Sequence, residues 1–259
     1  MDLNTFTVSG LSAGYGGRNI VHDVNMRALS PGTLTALIGP NAAGKSTLLK
    51  SIAGIVKSQS TDVTLGGLRI DGMKLAERAA HVRFVPQAYA TQARLTVFDL
   101  LMVARMCGVC GRHKVSDLVA VDAALVRVGV SHLADRIAGT LSGGQQQLVA
   151  LAQALTRPAP VLLLDEPTSA LDLRNQLEAM AIMRRVAAED GAIVIAALHD
   201  LNLAARHADR VVLMGEGRIV ADGIPEDVLT TERCGPVYGV KLATGQTSRG
   251  SLAIEAYLA

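Results

Sequence analysis

The chain has no tryptophan and only seven aromatics in 259 residues, three cysteines, and a formal charge of only +2. Each scarcity excludes something. A charge balance of 25 basic against 23 acidic residues leaves no broad electrostatic footprint for nucleic acid or for an anionic membrane surface, so phosphate recognition, if present, has to be local. Three cysteines are too few, and odd in number, for a disulfide framework, which fits a reducing compartment. Although 49% of residues are hydrophobic, the apolar runs Val161 to Leu164 and Ala192 to Leu198 are strand-sized, far short of the ~20 residues a spanning helix needs. The opening MDLNTFTVSG lacks the basic and apolar regions of a signal peptide. A cytoplasmic chain is expected, with its extra apolarity in a core or on a partner surface.

What is present is an alternation of apolar, β-favouring runs with helical patterns, which predicts an α/β domain with a mostly parallel sheet and flanking helices. Phe6 to Val24 reads as two short strands turning at Gly14 to Gly17, and Leu34 to Ile38 as a buried strand leading to a helix over Ser46 to Ile55. Asp62 to Asp71, turning at Gly66-Gly67, adds to an N-terminal antiparallel β part, and His81 to Val85 reads as a further strand. Leu118, Val121, Leu125 and Val128 have helical spacing, so the middle section, about 88–159, reads as an inserted all-helical subdomain. Residues 1–87 and 160–259 make up the core. The core resumes with strand Val161 to Leu164, helix Leu173 to Ala188, strand Ile193 to Leu198, helix Leu201 to His207 and a hairpin over Val211 to Asp222.

Gly39-Pro40-Asn41-Ala42-Ala43-Gly44-Lys45-Ser46 matches G-x-x-x-x-G-K-[ST] and lies between a predicted strand and helix, where a phosphate loop must lie. Backbone N–H groups and the helix N-terminus cradle phosphate, Lys45 neutralises its charge, and Ser46, followed by Thr47, offers a hydroxyl to Mg²⁺. About 120 residues on, Val161 to Leu164 carry Asp165 and Glu166 out of a buried strand. Asp165 is a candidate Mg²⁺ ligand, and Glu166 a candidate base for the attacking water.

Leu141-Ser142-Gly143-Gly144-Gln145 stands 20 residues before Asp165, and it resembles the signature of the ABC ATPases. Small residues and bare N–H groups at a helix start make a second phosphate cradle. Since the chain already has one, the second is expected to serve another chain's ATP. The resemblance covers nearly the whole sequence. It implies that Tyr15 stacks on adenine, that Gln87 in Phe84-Val85-Pro86-Gln87 reaches the metal and water, that Asp172 in Ser169-Ala170-Leu171-Asp172 lies in a loop crossing the dimer interface, and that His199 contacts γ-phosphate. Ala42 replaces the glycine usual in the family, at a cost of roughly 1 to 2 kcal/mol if positive φ is needed there. Gln146-Gln147-Leu148 lacks the arginine common after the signature.

Leu171 to Gln176, His199 to Ala204, Gly217 to Gly223 and Val237 to Val240 resemble the importers of ferric siderophores, haem and vitamin B12, with ferric siderophore ranked first. That resemblance implies ATP and Mg²⁺ as ligands. It implies as partners a second copy of the chain, two polytopic permease subunits and, through them, an extracytoplasmic solute-binding protein, at the cytoplasmic face of the inner membrane. The segment Ala88 to Leu95 is expected to meet the permease. A non-transport ABC protein on nucleic acid or ribosomes is disfavoured by the near-neutral charge and the absence of a tandem copy, and a P-loop kinase has no use for Leu141 to Gln145. Cys107-Gly-Val-Cys110 with His113 has metal-motif spacing, but no second ligand pair follows, so the cysteines read as small residues of a helical region.

Overall fold

The computed structural model describes residues 5–59, 62–87, 94–107, 113–248 and 250–258. Residues 88–93, most of the expected permease-contact segment, and Cys110 lie outside the described residues. In chain order the elements begin with β1 (Phe6–Tyr15), β2 (Arg18–Leu29), β3 (Leu34–Ile38), α1 (Lys45–Ile52), β4 (Ser58–Gln59), β5 (Asp62–Leu65), β6 (Leu68–Arg69), α2 (Leu75–Arg78) and β7 (Val82–Val85). Next come α3 (Val97–Met106), α4 (Val115–Val128), α5 (Gly143–Leu155), β8 (Val161–Asp165), α6 (Leu173–Asp190), β9 (Ile193–Ala197) and α7 (Leu201–His207). The chain closes with β10 (Arg210–Gly215), β11 (Arg218–Gly223), α8 (Pro225–Val228), α9 (Thr231–Tyr238), β12 (Lys241–Gln246) and β13 (Leu252–Tyr257).

The central sheet runs β11-β10-β3-β9-β8-β7, parallel throughout except for the β11 edge. Every residue of β3, β8 and β9 is buried, the mark of strands covered on both faces. The alternation of strand side chains divides the core in two. Leu162, Leu164, Val194, Ala196, Val211 and Leu213 face α3 to α7, while Val161, Leu163, Ile193, Ile195, Val212 and Met214 face α1 and the antiparallel sheet. That second sheet has the order β2-β1-β5-β6, with β4 also on β1.

Three local readings change. The first two strands are 10 and 12 residues long, extended by bulges that re-register the pair. The helix after the phosphate loop stops at Ile52, because Gly54 turns into the left-handed region at φ 79° and Ile55 points to solvent. In α4, Val121, Leu125 and Val128 are buried as their spacing predicts, but Leu118 is partly exposed. α2, α8, α9 and the β12–β13 hairpin have no counterpart in the sequence reading. These helices are short, α9 contains Pro236, and β12 buries only Leu242.

Ala42 has φ 66°, so the position does require the left-handed conformation that glycine adopts freely. Ala42→Gly should relieve that strain and lose part of the gain to a more disordered unfolded chain, leaving a net stabilisation of about 0.5 to 1 kcal/mol. Equilibrium urea unfolding checks this: the midpoint should rise with the slope unchanged.

Candidate active site

The parallel strands release their loops at one edge, the place where an open α/β sheet binds ligands. Between β3 and α1, Gly39 to Ser46 curls into a loop whose shape depends on its two glycines. A Cβ on Gly39 would stand 2.3 Å from the Met214 carbonyl oxygen, and Gly44 caps α1 at φ 98°. Asn41, Ala42, Ala43, Gly44, Lys45, Ser46 and Thr47 line a cleft of about 230 Å³ together with Ile20 and Glu166. Pro40 contributes its carbonyl: the buried Lys45 turns back onto the loop, its Nζ donating to the Gly39 oxygen at 2.6 Å and the Pro40 oxygen at 3.1 Å. Burial lowers the Lys45 pKa, against the pull of Glu166 and Asp165.

β8 delivers the acidic pair. Asp165 is buried and accepts a hydrogen bond from the Ser46 hydroxyl at 2.7 Å. Desolvation raises its pKa, opposed by the Ser46 bond and by Lys50 and Lys45. A hydroxyl and a carboxylate converging on one spot are the hard oxygen donors that Mg²⁺ takes. Glu166 leaves the strand at φ 50°, and its turn is closed by Ser169, whose backbone N–H and hydroxyl both donate to the Glu166 carbonyl, at 3.2 and 3.1 Å. Its carboxylate accepts from Gln87 Nε2 through Oε2 and meets His199 Nε2 through Oε1. Gln87 and His199, 112 positions apart in the chain, thus converge on one carboxylate.

A second cleft lies elsewhere. Ser142, Gly143, Gly144 and Gln145 line a cavity of about 720 Å³ with Ala170, Asp172, His132, Arg174, Asn175 and Glu178. Ser142 and Gln145 form a capping box at the start of α5, with N–H donors of each meeting the other's side chain at 3.1 and 3.3 Å. Gly144 lets α5 approach the next loop, since a Cβ there would lie 3.2 Å from both the Ala170 oxygen and Leu171 Cδ2. Asp172 caps α6 by accepting from the Asn175 N–H at 2.8 Å. The two clefts share no lining residue.

A model of the family described as ABC transporter matches residues 21–169. The chain belongs to the ABC transporter family. As an ABC protein it is similar along most of its length to curated relatives. It is 38% identical to a hemin import ATP-binding protein, HmuV, of Gloeobacter violaceus, over 90% of this chain and 86% of that one. It is 35% identical to an iron(3+)-hydroxamate import ATP-binding protein, FhuC, of Bacillus subtilis, over 92% and 89%. With a cobalamin import ATP-binding protein, BtuD, of Halobacterium salinarum it shares 35% identity over 93% of this chain, but spans only 60% of that relative's length. A solved metal-chelate type ABC transporter in an inward-facing conformation superposes with a TM-score of 0.82 at 25% identity, covering 98% of both chains.

The ABC fold does not bring every expected residue into the first cleft. Tyr15 stands half exposed at the β1–β2 turn, outside the cleft lining, whereas Ile20, which the sequence reading passed over, lines it. Its signal was only an apolar residue next to a glycine turn. His132 and Arg174 of the second cleft also went unnoticed, lacking any motif. Cys107 and His113 are exposed, and no group of three metal-type side chains occurs among the described residues.

The raised pKa of Asp165 has a thermodynamic consequence. Without metal, its unfolded state ionises more readily than its folded state, so stability falls as pH rises past the unfolded value near ~4 and stays lower above the folded one. Asp165→Asn keeps an acceptor for Ser46 and should melt higher than the parent at neutral pH in metal-free buffer, with the gap closing toward about pH 4. Thermal melts across pH check this; a gap that widens on acidification contradicts the burial argument.

Proposed function

We propose that this chain binds Mg-ATP in the phosphate-loop cleft and hydrolyses it at a site completed by the signature segment of a second copy, driving an importer whose pore lies in separate membrane subunits. The observation that carries this reading is the separation of the two clefts. The chain holds a phosphate loop and a signature cradle with no residue in common, so each is half of a site. Two copies head to tail complete both halves, with Ser142, Gly143, Gly144 and Gln145 of one facing the loop of the other. Asp172, at the rim of the signature cleft, borders that interface.

In this reading Gly39 to Thr47 wrap the phosphates, Lys45 leaves its loop carbonyls for the β- and γ-phosphate oxygens, and Tyr15 turns toward adenine. Ser46, Asp165 and Gln87 would supply oxygen groups to Mg²⁺, which when bound would offset charge on the phosphates. Glu166 takes a proton from the water that attacks the γ-phosphorus, the bond to the bridging oxygen breaks, and ADP and phosphate leave. His199, resting on Glu166, is placed to contact the γ-phosphate. The core, 1–87 and 160–259, carries the loop and acids, while the helical part, about 88–159, carries the signature.

The relatives' names spread over hemin, iron-hydroxamate and cobalamin import, which supports a metal chelate as the transported class, with a ferric siderophore ranked first on the local motifs. The partners are then two permease subunits, met by the segment 88–95, and a solute-binding protein reached through them; nucleic acid is not among them. No helix among the described residues is long and apolar enough to cross a membrane, in keeping with peripheral attachment at the cytoplasmic face of the inner membrane.

Two experiments test the reading. Glu166→Gln keeps size and hydrogen bonding but cannot take a proton, so it should bind ATP normally, accumulate as an ATP-bound dimer and lose about 10²- to 10⁴-fold in turnover. Mixing Lys45→Ala chains with Ser142→Arg chains leaves one intact composite site per mixed dimer and should restore hydrolysis that neither parent shows. Dimers that form and stay inactive in every mixture count against shared sites.

A further inference from the structure

The β12–β13 hairpin is a sheet of its own, sharing no ladder with the central sheet. Leu242, Leu252 and Ile254 pack on the core beneath it, and two polar contacts fasten it. The Thr231 hydroxyl of α9 donates to the Leu242 carbonyl. Asn202 of α7 holds Ile254 at both backbone groups: Nδ2 donates to the Ile254 oxygen at 3.1 Å, and the Ile254 N–H donates to Oδ1 at 2.9 Å. Within the hairpin Ile254 lies opposite Thr244. A residue whose N–H and C=O both turn away from its partner strand is in a non-hydrogen-bonded pair, so these two groups form the outer edge of β13. A side-chain amide has the donor and acceptor of a peptide group, and Asn202 completes that edge as a one-residue strand would.

Asn202 also stands at the start of the helix that follows His199. Asp200, the intervening cap, accepts from the backbone N–H of Asn202 at 2.7 Å and of Leu203 at 3.1 Å. On the other side of His199, the Leu198 N–H is tied to the Leu37 carbonyl of β3 at 3.0 Å, so the strand side is anchored in the sheet. The seven-residue α7 buries Leu203 and Ala204 in the core, and its first turn is held from outside by the hairpin. A continuous path therefore runs from Ile254 through Asn202 and the Asp200 cap to His199 and Glu166. The same C-terminal segment borders the phosphate loop: the hydroxyl of Tyr238, the last residue of α9, lies near the backbone of Gly39.

We propose that Asn202 is a positioning residue for His199: by clamping the β12–β13 hairpin to the first turn of α7, it sets where the imidazole meets Glu166, and the C-terminal hairpin governs turnover without touching nucleotide. The inference rests on the assignment of His199 to the reacting phosphate. Because a small displacement at a reacting centre costs rate far more than it costs ground-state binding, loss of the clamp should appear in kcat.

The test is the steady-state ATPase activity of the full-length chain in four forms: Asn202→Ala, Ile254→Pro, His199→Ala and the Asn202→Ala/His199→Ala pair. Ile254→Pro removes the outer-edge N–H at a strand position where proline is tolerated, and it also alters a side chain that packs on the core, so its fold and melting midpoint are measured alongside. Asn202→Ala should lower kcat about 5- to 20-fold with KM for ATP within about twofold, and Ile254→Pro should do the same. In the His199→Ala background Asn202→Ala should change kcat by less than about 1.5-fold, since the two act through one group. A structural role alone would lower the melting midpoint without this split between kcat and KM. Folded, dimeric Asn202→Ala and Ile254→Pro proteins with wild-type kcat, beside a His199→Ala protein slowed to a measurable residual rate, overturn the positioning role and leave the site assignment standing. Full turnover in His199→Ala overturns the site assignment and this inference with it. An equal loss from Asn202→Ala with and without His199 also overturns the inference. If Asn202→Ala does not fold, Ile254→Pro, alone and combined with His199→Ala, decides in the same way.

Discussion

The 2.7 Å hydrogen bond from Ser46 to Asp165 joins the first turn of α1 to the last residue of β8, and the rest of the site is arranged around it. It crosses 119 positions of sequence, and it exists because β3 and β8, separated in the sheet by β9, run parallel and end at the same edge. Holding a carboxylate there is costly, which the raised pKa of Asp165 expresses. Lys45, Lys50 and the Ser46 hydroxyl offset part of that cost. An oxygen-rich, partly uncompensated spot of this kind suits a divalent cation, which would supply the missing positive charge.

Two of the four non-glycine residues with positive φ among the described residues sit at the same edge. Ala42 and Glu166 both line the phosphate-loop cleft, and both have positive φ, at 66° and 50°. Non-glycine residues adopt that region at a price of about 1 to 2 kcal/mol, and they persist only where surrounding contacts hold them. For Glu166 the holding contacts are visible: Ser169 closes the turn from behind, while Gln87 and His199 take the two carboxylate oxygens in front. The strained turn points the carboxylate across the strand ends, toward Gln87 beyond β7 and His199 beyond β9, instead of along β8.

The motifs were legible in the sequence because each depends on local chemistry. A glycine loop between strand and helix, an acidic pair at the end of four apolar residues, and small residues at a helix start all announce themselves within a few positions, and each lies at the strand end or helix start that the sequence predicts. So was the parallel sheet, since strands apolar on both faces leave continuous hydrophobic runs. Elements with weak local signals were missed. β12 is mostly exposed, α9 carries a proline, and the length of β1 and β2 depends on bulges that only strand pairing creates.

The sequence by itself determined the chemistry available: which side chains present hydroxyl, carboxylate, amide and imidazole, and which segments must be strand or helix, because periodicity and capping act over a few residues. Tertiary structure decided which of those groups meet. That Gln87 and His199 share one carboxylate, that Ile20 and not Tyr15 lines the phosphate-loop cleft, that the signature cradle opens onto a different cleft from the loop, and that Asn202 closes the edge of β13 all follow from strand order and long-range packing. Such contacts join residues tens to more than a hundred positions apart, and their geometry is set by burial of the whole sheet, which no local stretch of sequence encodes.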